Sequence, residues 1–221
     1  MRELTKHLNT LIAVLAVTLF TSASFAGIVG SAHDFSGSTW NATGGEICQP
    51  CHTPHGADTT IDGSPLWNRV PTTATYTTHA GSGQATTAID NNSRLCLSCH
   101  DGTIAMDNFG GNTSGTAFIS GAALVGTDLS NDHPIGADAV WSGTYDAGAN
   151  VGSRWTSEKT YMVSQNTRDT AGIMPLRPMS TGGNPAVGCT SCHEPHNRTS
   201  QDNMLWMTNA ASALCLNCHV K

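Results

Sequence analysis

Hydrophobic positions concentrate at one place in this chain, the run from Leu11 to Phe20, with Arg2 and Lys6 before it and Ser24-Phe25-Ala26 after it. A basic start, a short apolar stretch and small residues at the end are the parts of an export leader, so residues 1–26 are expected to be removed after Ala26. The run is too short to span a membrane as a helix, and no later segment approaches the roughly 18 apolar residues a span requires. From Gly27 onward neither the helical nor the strand period is sustained for long. Between about Gly102 and Gly188, Gly, Thr, Ser and Asn are abundant and both templates fit weakly. The pattern predicts mostly irregular coil with short helices and a few strands, such as Ala117 to Leu124. The central stretch is too long for an ordinary loop and reads as a wrap across a larger unit.

Composition sharpens this picture. The chain is 38% hydrophobic and 6% aromatic, with 23 glycines and 9 prolines, too little apolar side chain for an ordinary core at this length. Something other than side chains must fill the interior. The net charge of −6 becomes one unit more acidic once Arg2, Glu3 and Lys6 leave with the leader. Nucleic acid is therefore excluded as a partner, because phosphate binding needs concentrated positive charge.

The eight cysteines supply the missing core. They fall without remainder into Cys48-Gln49-Pro50-Cys51-His52, Cys96-Leu97-Ser98-Cys99-His100, Cys189-Thr190-Ser191-Cys192-His193 and Cys215-Leu216-Asn217-Cys218-His219. Two thiols at this spacing can reach the two vinyl groups of one haem, and the following histidine then lies beneath the iron. A disulfide framework and a pair of zinc sites are the alternatives. Neither explains a histidine after every second cysteine. Four haems c per chain are expected, with His52, His100, His193 and His219 as proximal ligands. Each haem is a large flat apolar body around which a core-poor chain can wrap.

Four irons call for four more ligands. Outside the leader, His33, His55, His79, His133 and His196 compete for these places. An internal repeat selects among them. CQPCHTPH is followed by Leu66-Trp67 and Ser-Arg-Leu-CLSCH, and CTSCHEPH by Leu205-Trp206 and Ser-Ala-Leu-CLNCH. One further histidine precedes each copy, His33 and His133. The chain thus divides into a dihaem module at 27–102, a linking wrap at 103–188 containing His133, and a second module at 189–221, all in one haem-threaded unit.

The distal set is then His33, His55, His133 and His196, with His79 set aside because the second copy has no counterpart to it. His55 and His196 lie three residues beyond a proximal histidine, too near to grip the opposite face of the same iron, so each must serve a neighbouring haem. His33 lies close to the new N-terminus and His219 close to the end of the chain. This suggests that His33 serves an iron in an adjacent subunit of a homopolymer. Met106 and Met174 are expected to fill gaps against porphyrin. Trp67 and Trp206, which match across the repeat, are expected to pack.

With the leader, the four motifs and the segments SAHDFS, CQPCHTPHG, SPLWN, CLSCHDG, NDHPIG and CTSCHEPH together, the chain resembles the OmcE-like tetrahaem cytochromes, subunits of extracellular cytochrome nanowires. The resemblance covers most of the chain after the leader. It implies a loop-rich fold around a row of four closely packed bis-histidine haems, polymerisation into filaments, redox protein donors and extracellular electron acceptors. Carried over residue by residue, it implies the same proximal and distal sets. Related doubled-motif cytochromes often place a histidine after Pro-Leu-Trp-Asn. Arg69 stands there in this chain, which returns some claim to His79.

Two rival functions remain. A monomeric periplasmic shuttle fits the same haem count, and only its assembly state would distinguish it. A multihaem reductase needs an iron with an open face, which the supply of histidines does not leave. An electron carrier without enzymatic activity is the expectation.

Overall fold

The computed structural model describes residues 27–61, 64–78, 83–84, 89–139, 177–178 and 185–216. The expected leader, His79, Met174, Cys218 and His219 lie outside the described residues. Among those described, coil dominates and regular elements are short. A strand pair joins β1 (Tyr76–Thr77) antiparallel to β2 (Gly83–Gln84), and a second joins β3 (Arg177–Pro178) to β4 (Pro185–Ala186). The helices are α1 (Asn91–His100), α2 (Cys189–Cys192) and α3 (Ala213–Leu216). None of the helices found among the described residues is long and apolar enough to cross a membrane.

Helix α1 has both of its ends written in the sequence. Asp90 caps its start, accepting the Ser93 N–H at 2.9 Å, as an N-cap aspartate should. At the other end Gly102, with φ of +74°, donates its N–H to Cys99 O at 3.0 Å, the left-handed stop that glycine permits. Leu95 and Leu97 are buried along its length. The second attachment motif therefore occupies the last turn and a half of a capped helix.

The other motifs are briefer. In the first, His52 N–H reaches Cys48 O at 2.8 Å, but the chain then turns away and Thr53 N–H donates to Leu66 O. Pro54 accounts for the break, since a following proline disfavours helical geometry at Thr53. Helix α2 ends in the same manner, one residue before Glu194 and Pro195. Short helices thus form as expected at three motifs, and the first is a single turn.

The strand expected over Ala117 to Leu124 does not form. Residues 117–120 are coil and Gly121–Ala123 form a 3₁₀ turn. The Asp107 carboxylate takes the Thr116 and Ala117 N–H groups, so side-chain acceptors replace a neighbouring strand. Gly121 then adopts φ of +67° and reverses the chain, and Val125 and Gly126 N–H both donate to His100 O. Alternating side chains suited a strand, but no partner edge is there to receive it.

Core side chains gather in small groups. Tyr76, Ile89, Leu97 and Leu129 form one, with Ala74 and Ile135 against it; Ile61, Trp67 and Leu95 form another, with Cys51 against it. Ile135 brings the beginning of the central wrap into the first group. The Asp101 carboxylate, one residue past His100, accepts hydrogen bonds from the Thr72 hydroxyl at 2.6 Å and the Tyr76 phenol at 2.8 Å. Arg69, which replaces the histidine common after Pro-Leu-Trp-Asn, is buried. It donates to Pro50, Met106 and Ala105 carbonyls and so ties the first motif to the chain beyond the second.

The two modules repeat in backbone as well as in sequence, but one residue out of step with the letters. His52 bridges Trp67, and His193 bridges Leu205. Asn68 N–H donates to Cys51 O in the first copy, and Trp206 N–H to Cys192 O in the second. Leu66 and Met204 share left-handed φ values of 54° and 55°. The expected match of Trp67 with Trp206 is thereby corrected: Trp67 corresponds to Leu205, and Trp206 to Asn68. The return from the histidine to its carbonyl partner spans 13 residues in the first copy and 10 in the second, which moves the register. Both indoles are nevertheless buried.

The modules meet where α2 packs on the start of α1. Cys189 N–H donates to the Ser93 hydroxyl at 2.9 Å. A Cβ on Gly188 would collide with Asp90 Oδ2 and stand 2.7 Å from Ser93 Oγ, so only glycine permits this approach. Gly188→Ala is expected to destabilise the haem-loaded protein by about 1–3 kcal/mol. Tyr76→Phe, which removes one hydrogen bond from buried Asp101, should cost about 1–2 kcal/mol. Urea unfolding midpoints of the two variants against wild type check both values.

Candidate functional site

Among the described cysteines none is paired in a disulfide, and burial pushes the Cys51 and Cys192 thiols up to about 11. Among the described residues no three or more His, Cys, Asp and Glu side chains are grouped to hold a metal ion by themselves.

The motifs neighbour one another in chain order: Cys51 of the first lies near Cys99 of the second, Cys96 near Cys189 of the third, and Cys192 near Cys215 of the fourth.

The histidines are arranged with equal regularity. The rings of His52 and His196 have centroids 6.2 Å apart, and those of His33 and His100 are 6.1 Å apart. One metal between two imidazoles needs about 2 Å of bond on each side plus roughly 1 Å from each nitrogen to its ring centre, about 6 Å in all. Both pairs have the spacing of two rings that share one iron. Each joins a proximal candidate to a distal one from elsewhere in the chain.

In five of the described histidines the second ring nitrogen is engaged by a backbone carbonyl. Nδ1 of His52 lies 2.6 Å from Pro65 O, that of His100 2.7 Å from Ala123 O, and that of His193 2.9 Å from Asn203 O. Nδ1 of His33 lies 3.0 Å from Pro195 O, and that of His133 2.8 Å from Pro134 O. A carbonyl can only accept, so these rings carry their proton on Nδ1 and leave the Nε2 lone pair for a metal, the orientation found at metal-ligating histidines. His33 is held toward its neutral form mainly by burial. The Pro195 carbonyl opposes that shift, and the nearby His100, His196 and His193 add to it.

His196 is the exception. Its Nδ1 lies 3.3 Å from the Glu194 carboxylate, whose side chain is 1% exposed against 47% for His196 itself. Burial opposes ionisation of Glu194. The Arg198 N–H and guanidinium and the His196 N–H outweigh it and hold the carboxyl below its usual range.

The structure thus brings together His33, His52, His100, His193 and His196 of the expected ligands. Within its own chain His33 lies against His100 and Pro195. His55 and His133 are exposed, away from these two pairs. Sequence reasoning missed Glu194 and the five orienting carbonyls. The difference between CHTPH and CHEPH was a visible signal for Glu194, whereas backbone acceptors leave no mark in side-chain letters.

A family model described as a doubled CXXCH motif matches residues 181–221, the stretch holding the third and fourth attachment sites. No curated protein matches the chain. The doubled motif indicates covalent binding of haem c, as in multihaem c-type cytochromes, and points to an electron carrier in preference to an enzyme. The coil-rich architecture with few short helices is compatible with that class.

The ring pairs generate a direct expectation. His33→Ala and His196→Ala should each convert one haem iron of the loaded protein from low spin to high spin, and the double variant two. Electron paramagnetic resonance of the oxidised protein counts them.

Proposed function

We propose that the chain holds four covalent haems c in a row and passes electrons along it, as the subunit of an extracellular filament that delivers them to external acceptors. The observation that carries this reading is that the attachment cysteines neighbour one another in succession, Cys51 near Cys99, Cys96 near Cys189 and Cys192 near Cys215. A bound haem iron supplies one-electron chemistry without a proton or substrate step.

The protein's own part is to hold and orient. Cys48 and Cys51, Cys96 and Cys99, Cys189 and Cys192, and Cys215 and Cys218 are the covalent anchors. His52, His100, His193 and His219 are the proximal ligands, and His33, His55, His133 and His196 the distal set. Carbonyls at Nδ1 hold five of these rings in the donor tautomer, so little has to reorganise when charge arrives or leaves. The nearness of successive anchors shortens each hop. The His52–His196 pair crosses between the modules and makes them one electron-carrying unit.

The filament part of the reading is supported by the exposed position of His55, whose ring has no hydrogen bond or ring contact among the described residues. A ligand offered at the surface suits an iron presented by a second copy, and His55 is better placed for this than His33. The leader at 1–26 agrees with an extracellular or cell-surface destination and with the export that covalent haem attachment needs.

Intact mass of the purified protein should show four haems on a chain starting at Gly27. Electron micrographs of native material should show filaments one subunit thick. Fewer than four haems, or a high-spin signal from an open iron in the native assembly, would overturn the electron-carrier reading in this form. A single-chain particle by gel filtration with all four haems in place would leave the monomeric periplasmic shuttle.

A further inference from the structure

The two copies of the repeat differ at one position beside a distal ligand. In the first copy the Thr53 hydroxyl lies 3.4 Å from the His55 N–H; in the second, Glu194 Oε1 lies 3.2 Å from the His196 N–H. The local geometry is the same and the chemistry is not. Threonine is neutral, whereas Glu194 carries a charge and approaches the ring itself, at 3.3 Å from Nδ1.

Five other imidazoles on this chain have a backbone carbonyl at Nδ1. A carboxylate is a stronger acceptor than a carbonyl. Drawing on the Nδ1 proton raises the basicity of the other nitrogen, and a more basic ligand favours the more positive state of its metal. The charge itself acts in the same direction, because a buried anion stabilises an oxidised iron over a reduced one. Glu194 is nearly inaccessible, so water screens it weakly. Its cation, Arg198, lies 3.1 Å away with 39% of its side chain exposed. It also rests over the Trp206 ring, 5.6 Å from the centroid. The pair therefore presents its anion to the ligand and its cation to solvent.

We infer that Glu194 is a positioning residue that sets the iron held by His52 and His196 at a lower reduction potential than a carbonyl in its place would give. The inference rests on the proposed ligation of that iron by His196. It makes the repeat asymmetric: the second module reaches across to tune a site whose cysteines belong to the first. Since Pro195, between Glu194 and His196, also orients His33, one short segment governs the distal ligands of two sites.

Spectroelectrochemical titration of the haem-loaded protein, with wild type beside Glu194→Gln and Arg198→Gln, tests it. Glu194→Gln should move one midpoint potential upward, leave the others in place and keep every iron low spin. Arg198→Gln, which leaves the anion less compensated, should move the same potential downward. Unchanged potentials, or a shift of the same sign in both variants as loosened packing would give, would overturn the role of Glu194. Should Glu194→Gln fail to accumulate, Arg198→Gln decides alone, by a downward shift or none. His196→Met separates the two levels of the argument: spectra identical to wild type would remove the ligation itself, whereas a raised single potential with a thioether-ligated signature retains it.

Discussion

An imidazole that gives one nitrogen to a metal carries its proton on the other, and an acceptor placed there fixes the ring's orientation. That requirement shapes the fold around the candidate site. His52, His100 and His193 each meet a carbonyl delivered by a segment that has turned back on its motif: Pro65, Ala123 and Asn203. Many of the turns that make this chain look irregular are the routes by which those carbonyls arrive. The missing strand at 117–124 is one of them, because an extended path would have carried Ala123 away from His100.

The same economy appears in packing. Buried aliphatic and aromatic side chains form small separate groups, and buried polar side chains such as Arg69, Ser93 and Asp101 do much of the cross-linking. A chain of this composition cannot rely on a large oily centre. Its short elements are placed by caps, carbonyl acceptors and close glycine approaches, each modest in energy. Together they locate the attachment motifs against one another.

Much of this was legible in the letters. Spacing of Cys and His named the attachment sites, and the repeat named the modules. The unread parts were of two kinds. Backbone acceptors carry no side-chain signature, so the partners of the rings could not be seen. Register across a repeat depends on loop length as well as letters, so Trp67 and Trp206 looked equivalent until the shorter second return shifted the pairing. His33, near one end of the chain, has its ring 6.1 Å from that of His100, since distance along a chain says little about distance in space.

On the ligation proposed above, in which His196 and His52 share one iron, the crossing also constrains how the protein is made. During synthesis and export the first half emerges with His52 already formed and its ring partner still to come. A haem joined early at Cys48 and Cys51 would stay exposed on one face until the last segment arrives, at the mercy of stray ligands and oxidants. On that ligation, maturation of the two halves is not separable, and a chain cut short of His196 would leave the site at His52 one ligand short.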